Sequence, residues 1–210
     1  MPRTVARLAL IVPFLVVFAP LARSQEDEEV VEETGEVTLS TARQLGPEVE
    51  AARNAAFGRV AIAVTKMSGL KDERDEARAR ALAKTLIADD LNWDQAKEIV
   101  QGMVARLDPA TQMVRGAADD KRCRTYAAYV RGNRPPVVLC PAFFSSSPEQ
   151  RIRTLMHESA HMAGIGTSGD SVKDVYRPVW RCSGNTPEGF ESADSWAVLA
   201  YCLADGPDDR

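Results

Sequence analysis

The stretch Ser147-Pro-Glu-Gln-Arg-Ile-Arg-Thr-Leu-Met-His157-Glu158-Ser-Ala-His161-Met-Ala-Gly164 constrains this chain more than any other. It opens as a helix should. Ser147 is a natural N-cap, Pro148 suits the first helical position, and Gln150 completes a capping box. Ile152, Leu155, Met156 and Ala160 then recur as an apolar stripe, and Gly164 is a natural stop. On such a helix His157 and His161 lie one above the other, one turn apart. The sequence holds two histidines in all, and both are here. Two imidazoles so placed can grip one metal ion, with Glu158 beside them to handle a proton.

The segments around it set the context. Arg3 and Arg7 precede an apolar run from Leu8 to Pro20, and Ala22-Arg-Ser24 offers small residues for cleavage. Residues 1–24 therefore read as a secretory signal, interrupted by Pro13 and too short for a membrane span. Residues 25–40, rich in glutamate with little to bury, are expected to form an acidic disordered leader. Helical periodicity follows: Val49, Ala52, Ala56, Val60, Ala63 and Met67 in one segment, a charged Ala-rich segment from Asp72 to Ala88, and a third opened by Asn92-Trp-Asp-Gln95 and closed by Asp108-Pro109. Residues 41–118 thus form a helical region, either a lobe or a propeptide, and residues 119–205 a catalytic core. The net charge of −4 and the scattered basic residues give no sign of a nucleic-acid partner.

Four cysteines, Cys123, Cys140, Cys182 and Cys202, lie in the exported part. An even count in an oxidising compartment favours two disulfides, and three pairings are possible. Cys123 and Cys140 flank two β-prone runs, Thr125 to Val130 and Val137 to Leu139, around the turn-rich Arg131-Gly-Asn-Arg-Pro-Pro136. Pairing across that hairpin leaves Cys182 for Cys202. The segment from Leu139 to Phe144 is expected to be a strand leading into the histidine helix. A last helix is expected from Ser192 to about Leu203, with Trp196, Leu199, Ala200 and Leu203 on one side.

A catalytic zinc typically takes three protein ligands and keeps one position open. With the histidines used, the third ligand is a carboxylate. The longer pattern His-Glu-x-x-His-x-x-Gly-x-x-His fails because Thr167 stands in its last position. Two arrangements can complete the set: either a downstream helix brings Glu191, in the thermolysin-like manner, or the loop after Gly164 brings Asp170 or Asp174.

His157-Glu-Ser-Ala-His161, Gly166-Thr167, Asp170 or Asp174, Tyr176, and Ser192-Ala193-Asp194-Ser-Trp-Ala197 together resemble the aspzincin metallopeptidases, which include deuterolysin and the lysine-specific metallo-endopeptidases. Leu139-Cys-Pro-Ala-Phe-Phe144 resembles bacterial members, and the likeness covers about residues 120–204. The resemblance implies an α+β, mostly helical, zincin-like fold with a β-hairpin beside the active-site helix. It implies a Zn2+ cofactor held by His157, His161 and an aspartate after Gly-Thr. Asp174 is favoured because Tyr176, the expected transition-state donor, then shares its segment; Asp170 and Glu191 are the alternatives. Asp194 corresponds to a residue that binds substrate lysine in lysine-specific members, and Ala197 stands where their second acid lies. The expected activity is that of an exported (secreted or periplasmic) zinc endopeptidase with no stable membrane anchor after signal cleavage. Glu158 is its general base and a peptide or protein its substrate. A non-catalytic exported binding module and a zinc amidase acting on cell-wall peptides are the rivals.

Overall fold

A computed structural model describes residues 39–166, 180–183 and 189–205. Its secondary structure is mixed and mostly helical, with one small sheet. Strand β1 (Ser40–Thr41) leads through a single-turn helix, α1 (Ala42–Leu45), into α2 (Pro47–Met67). Proline sits at the start of α2, Glu48 and Glu50 lie in its first turn and Lys66 in its last, an arrangement that suits the helix dipole. Val49, Ala52, Ala56, Val60, Ala63 and Met67 are buried, in the register the sequence predicts. Apart from Met67 these side chains are all valine or alanine, so neighbouring helices approach α2 closely.

Helix α3 (Glu73–Leu86) is capped by Asp72, whose side chain accepts from Arg74 N at 2.9 Å. Helix α4 (Trp93–Arg106) is capped by Asn92, which accepts from the amides of Asp94 and Gln95. The Trp93 indole N–H donates to Glu76 at 2.9 Å, tying the start of α4 to α3. The Arg53 guanidinium, 6% exposed, donates to the Leu107 carbonyl at 3.2 Å and ties α2 to the end of α4.

The sheet has the order β1-β2-β4-β3, formed by β1, β2 (Gln112–Arg115), β4 (Arg134–Leu139) and β3 (Ala128–Arg131). Strand β2 runs parallel to β4, and β3 runs antiparallel to it. Because side chains alternate along a strand, the sheet sorts its residues by face. Met113, Ala128, Val137 and Leu139 join the helical core. Val114, Tyr129 and Val138 form a second cluster with Cys123 and Cys140 on the opposite face. The Cys123–Cys140 bond pins that face and closes a loop of 17 residues; chain entropy makes such a link worth about 3 kcal/mol. Gly116 is glycine of necessity here, since a Cβ would lie 2.5 Å from Cys123 Sγ and 2.9 Å from Val138 Cγ1.

Three local expectations change. The chain reverses at Gly132-Asn133, with Gly132 at φ +64°, so the prolines fall inside β4 instead of in the turn. They are tolerated because one of them faces β2, which pairs with β4 only from Val137 onward, and the other faces β3, where the pairing is irregular between Tyr129 and Arg131. Residues Pro141–Ser145 form a short helix, α5, and not a strand. Pro141 fixes a helical φ at a position whose N–H has no helical partner anyway, and Phe143 N donates to Cys140 O at 2.9 Å. Ser40, assigned to the end of the leader at residues 25–40, pairs with Met113 in β1; the signal at residues 1–24 and the rest of that leader up to residue 38 lie outside the described residues.

Helix α6 (Pro148–Met162) carries the histidines and packs against α2, α4, α5, β3, β4 and α7 (Ala193–Asp205). Ser147 and Gln150 form the predicted reciprocal cap, at 3.0 and 3.2 Å. Every residue from Thr154 to Ala160 is buried, so α6 is a central helix and not a surface one. Helix α7 is likewise buried on nearly every side, from Ala193 to Ala200. The second predicted disulfide, Cys182–Cys202, ties its last turns to the segment before it. Arg59 on α2 bridges Glu149 at the start of α6 and Asp205 at the end of α7, at 3.2 and 3.0 Å. The predicted helical region at residues 41–118 therefore shares one hydrophobic core with α6 and α7. Both disulfides are compatible with an extracellular protein, and among the described residues no helix is long and apolar enough to cross a membrane.

Candidate functional site

The helical spacing of His157 and His161 brings their Nε2 atoms to 3.1 Å, with the rings nearly perpendicular and their centroids 4.8 Å apart. What orients the rings lies behind them. His161 Nδ1 meets the Ile165 carbonyl at 2.8 Å. A carbonyl only accepts, so Nδ1 carries the hydrogen and Nε2 the lone pair. His157 Nδ1 meets Asp194 Oδ1 at 2.8 Å, with both side chains 1% exposed. An ionised carboxylate also only accepts, which puts the His157 lone pair on Nε2 as well. Two acceptor nitrogens thus face one another across 3.1 Å, and a cation held by both satisfies both.

The distance suits zinc. Two nitrogens about 2.0–2.1 Å from one ion and about 3.1 Å apart subtend about 100°, near the tetrahedral angle. A metal-binding histidine is usually fixed through its other ring nitrogen by a carboxylate or a backbone carbonyl. One ring here has each kind of support. The donor set therefore fits a divalent metal, with Glu158 between the two histidines on α6 and 3% exposed.

The local sequence explains the supports. At the end of α6, Ala163 N donates to Ser159 O and Ile165 N to Ala160 O, while Gly164 adopts φ +101° and Gly166 φ +65°. These left-handed glycines fold the chain back over the last helical turn, which brings the Ile165 carbonyl to the His161 ring. Gly166 has a second reason to lack a side chain. A Cβ there would lie 2.9 Å from the Glu191 carbonyl and 3.4 Å from His161 Cε1. Asp194 enters from the first turn of α7, where the helix dipole favours its negative charge. The Ser192 hydroxyl accepts from Ser195 N at 3.3 Å, and the Trp196 indole donates to Phe190 O at 2.7 Å, which fixes the turn that presents Asp194.

The structure thus brings together His157, His161 and Asp194, with Glu158 buried next to His157 along α6. Asp194, expected to bind substrate, is buried behind His157 and orients it; at 1% exposure it has no open face for a ligand. Glu191, one of the three candidate third ligands, accepts from Gly166 N at 3.3 Å. Among the described residues no group of three metal-binding side chains converges. Asp170, Asp174 and Tyr176 lie outside the described residues. Sequence reasoning missed the Ile165 carbonyl and the role of Asp194. The glycines at 164 and 166 signal the first; nothing in the pattern signals the second, because an acid early in α7 reads equally well as a dipole partner.

No family model and no solved structure matches this chain. A stretch of 100 residues is 35% identical to a cytidylate kinase of Methylobacterium sp. (strain 4-46), covering 43% of this chain and 48% of that protein. The chain spans about half the length of the curated relative it matches. This corrects the expected activity: the similarity is to a kinase, and neither the exported zinc endopeptidase nor its rivals, the binding module and the zinc amidase, has a counterpart in it.

Proposed function

We propose that this chain is a metal-dependent enzyme in which Nε2 of His157 and Nε2 of His161 hold one divalent cation, zinc by the chemistry of the donors. The observation that carries this reading is the 3.1 Å approach of the two Nε2 atoms, with both Nδ1 atoms engaged from behind. When bound, zinc supplies a Lewis acid and brings the pKa of a coordinated water down to about 7. In this reading Glu158, next to His157 on α6, accepts a proton there, which its burial beside the histidine pair supports. Asp194 and the Ile165 carbonyl keep the lone pairs turned inward. A zincin-like arrangement goes with this proposal, supported by the packing of α6 on β3 and β4. So does export past a cleaved signal at residues 1–24, supported by the two disulfides.

Metal analysis of the purified full chain tests it. Stoichiometric zinc is expected in the parent, with loss in both His157→Ala and His161→Ala. A folded parent that binds no zinc after dialysis against the metal sinks the reading.

A second reading is phosphoryl transfer to cytidylate, and the stretch of 35% identity is what favours it. Such enzymes commonly cradle phosphates in a Gly-x-x-x-x-Gly-Lys-Ser/Thr loop, and these 210 residues contain no Gly-Lys pair. ATP-dependent phosphorylation of CMP, insensitive to substitution of either histidine, would establish it in place of the first.

A further inference from the structure

We propose that the face of the sheet opposite the helical core binds a small planar anion, an aryl carboxylate or an aryl phosphate. A cavity of about 370 Å³ lies on that face, within the size range of small-molecule sites. Its apolar part comes from Val114, Val138, Pro136 and the ring of Tyr129, which is 7% exposed. Flat rings and proline accept the face of a planar ligand.

The charges around it are unbalanced in one direction. The side chains of Arg131 and Arg134 line the cavity, against a single acid, Asp120. That acid is already engaged: Tyr129 OH donates to Asp120 Oδ2 at 2.6 Å, and Arg122 N donates to Oδ1 at 2.8 Å. Arg131 and Arg134 are direct cross-strand partners. Like charges in that relation destabilise a strand pair, and an anion between them turns the repulsion into a paired site. The Arg115 guanidinium is turned to the other face, stacked 3.9 Å over the Phe144 ring and donating to Leu45 O at 3.2 Å, so the charge at the cavity comes from Arg131 and Arg134. Guanidinium forks suit carboxylate and phosphate oxygens equally, so the charged end admits both ligand types and the cavity wall selects the planar body.

Amide NMR titration of the full chain provides the test, with benzoate and phenyl phosphate as probes and acetate and inorganic phosphate as their counterparts without a ring. Benzoate, phenyl phosphate or both should shift the amides of Val114, Tyr129 and Val138. Each bound aryl probe should bind about tenfold more tightly than its ringless counterpart. The variant R131Q/R134Q changes two exposed side chains and should weaken binding by at least about tenfold. The proposal is overturned if neither aryl probe shifts these amides, if the ringless anions bind equally well, or if the double variant keeps the parental affinity.

Discussion

Replacing Asp194 with asparagine preserves the shape of the side chain and removes its charge, so it isolates what the carboxylate does for His157. In the parent, Asp194 Oδ1 lies 2.8 Å from His157 Nδ1, both side chains are 1% exposed, and the carboxylate fixes the hydrogen on Nδ1. Asparagine offers either an oxygen or an NH2 group at that place. When the NH2 group faces the ring, the hydrogen moves to Nε2 and the metal-facing lone pair is lost. Removing an outer support of this kind usually costs 10–100-fold in metal affinity, or about 1.4–2.7 kcal/mol. Competition with a chromophoric chelator should therefore show the zinc dissociation constant of Asp194→Asn raised about 10–100-fold. His157→Ala should lose binding altogether, and Asp194→Glu should not rescue it, because the longer side chain has no room in a fully buried site. An Asp194→Asn variant that binds zinc within about twofold of the parent, while His157→Ala does not bind, refutes the orienting role. If His157→Ala itself keeps its zinc, the metal centre is what fails.

Gly166→Ala forces a Cβ to within 2.9 Å of the Glu191 carbonyl at φ +65°. Strain of that kind costs about 1–3 kcal/mol, so the urea midpoint should fall, and zinc affinity with it because His161 Cε1 lies 3.4 Å from the new methyl group. Replacing both Cys182 and Cys202 with serine opens a link across 20 residues and should lower unfolding stability by about 2–4 kcal/mol, measured by denaturation without reductant. The Tyr129 hydroxyl, foremost, and backbone amides hold the Asp120 carboxyl below its ordinary range, although removal from water opposes them. Its folded pKa is below its unfolded one, so this contribution is present above about pH 4 and is lost as pH falls through the folded value. Tyr129→Phe should flatten that acid limb and move the Asp120 titration, followed by NMR, back toward the usual carboxylate range.

The helices were largely legible because their signals are local. Caps at Asp72, Asn92 and Ser147 and a regular apolar face on α2 and α6 require no knowledge of distant neighbours. Both disulfide pairings followed from hairpin logic and elimination. Strand β2 was not legible: only four residues long, it buries Met113 toward one face and Val114 toward the other. Adjacent burial of that kind removes the alternation that marks a half-exposed strand. At the site, the imidazole pair could be read from spacing within one helix. The Asp194–His157 contact joins residues 37 apart, and no periodicity encodes the packing of α7 on α6.

That contact also bears on why the chain keeps such a pair. A buried charge and a buried polar ring lose hydration that their mutual attraction only partly returns, and apolar side chains of similar size would often serve folding equally well. The surroundings would accept them. Ala193, Ala197, Val198 and Ala200 on α7 and Leu155, Met156 and Ala160 on α6 already form a continuous apolar core. The fold therefore does not depend on Asp194 and His157 for cohesion. What the pair does that leucine and phenylalanine would not is hold one ring nitrogen protonated and turn the other toward His161. The same reasoning applies at the end of α6, where two left-handed glycines give up helical regularity to set a carbonyl against the second ring. Two unrelated devices, a side chain from α7 and a backbone turn after α6, produce the same outcome on adjacent histidines. Their convergence on Nε2 is the strongest physical reason to read this place as a metal centre, independent of the reaction it serves.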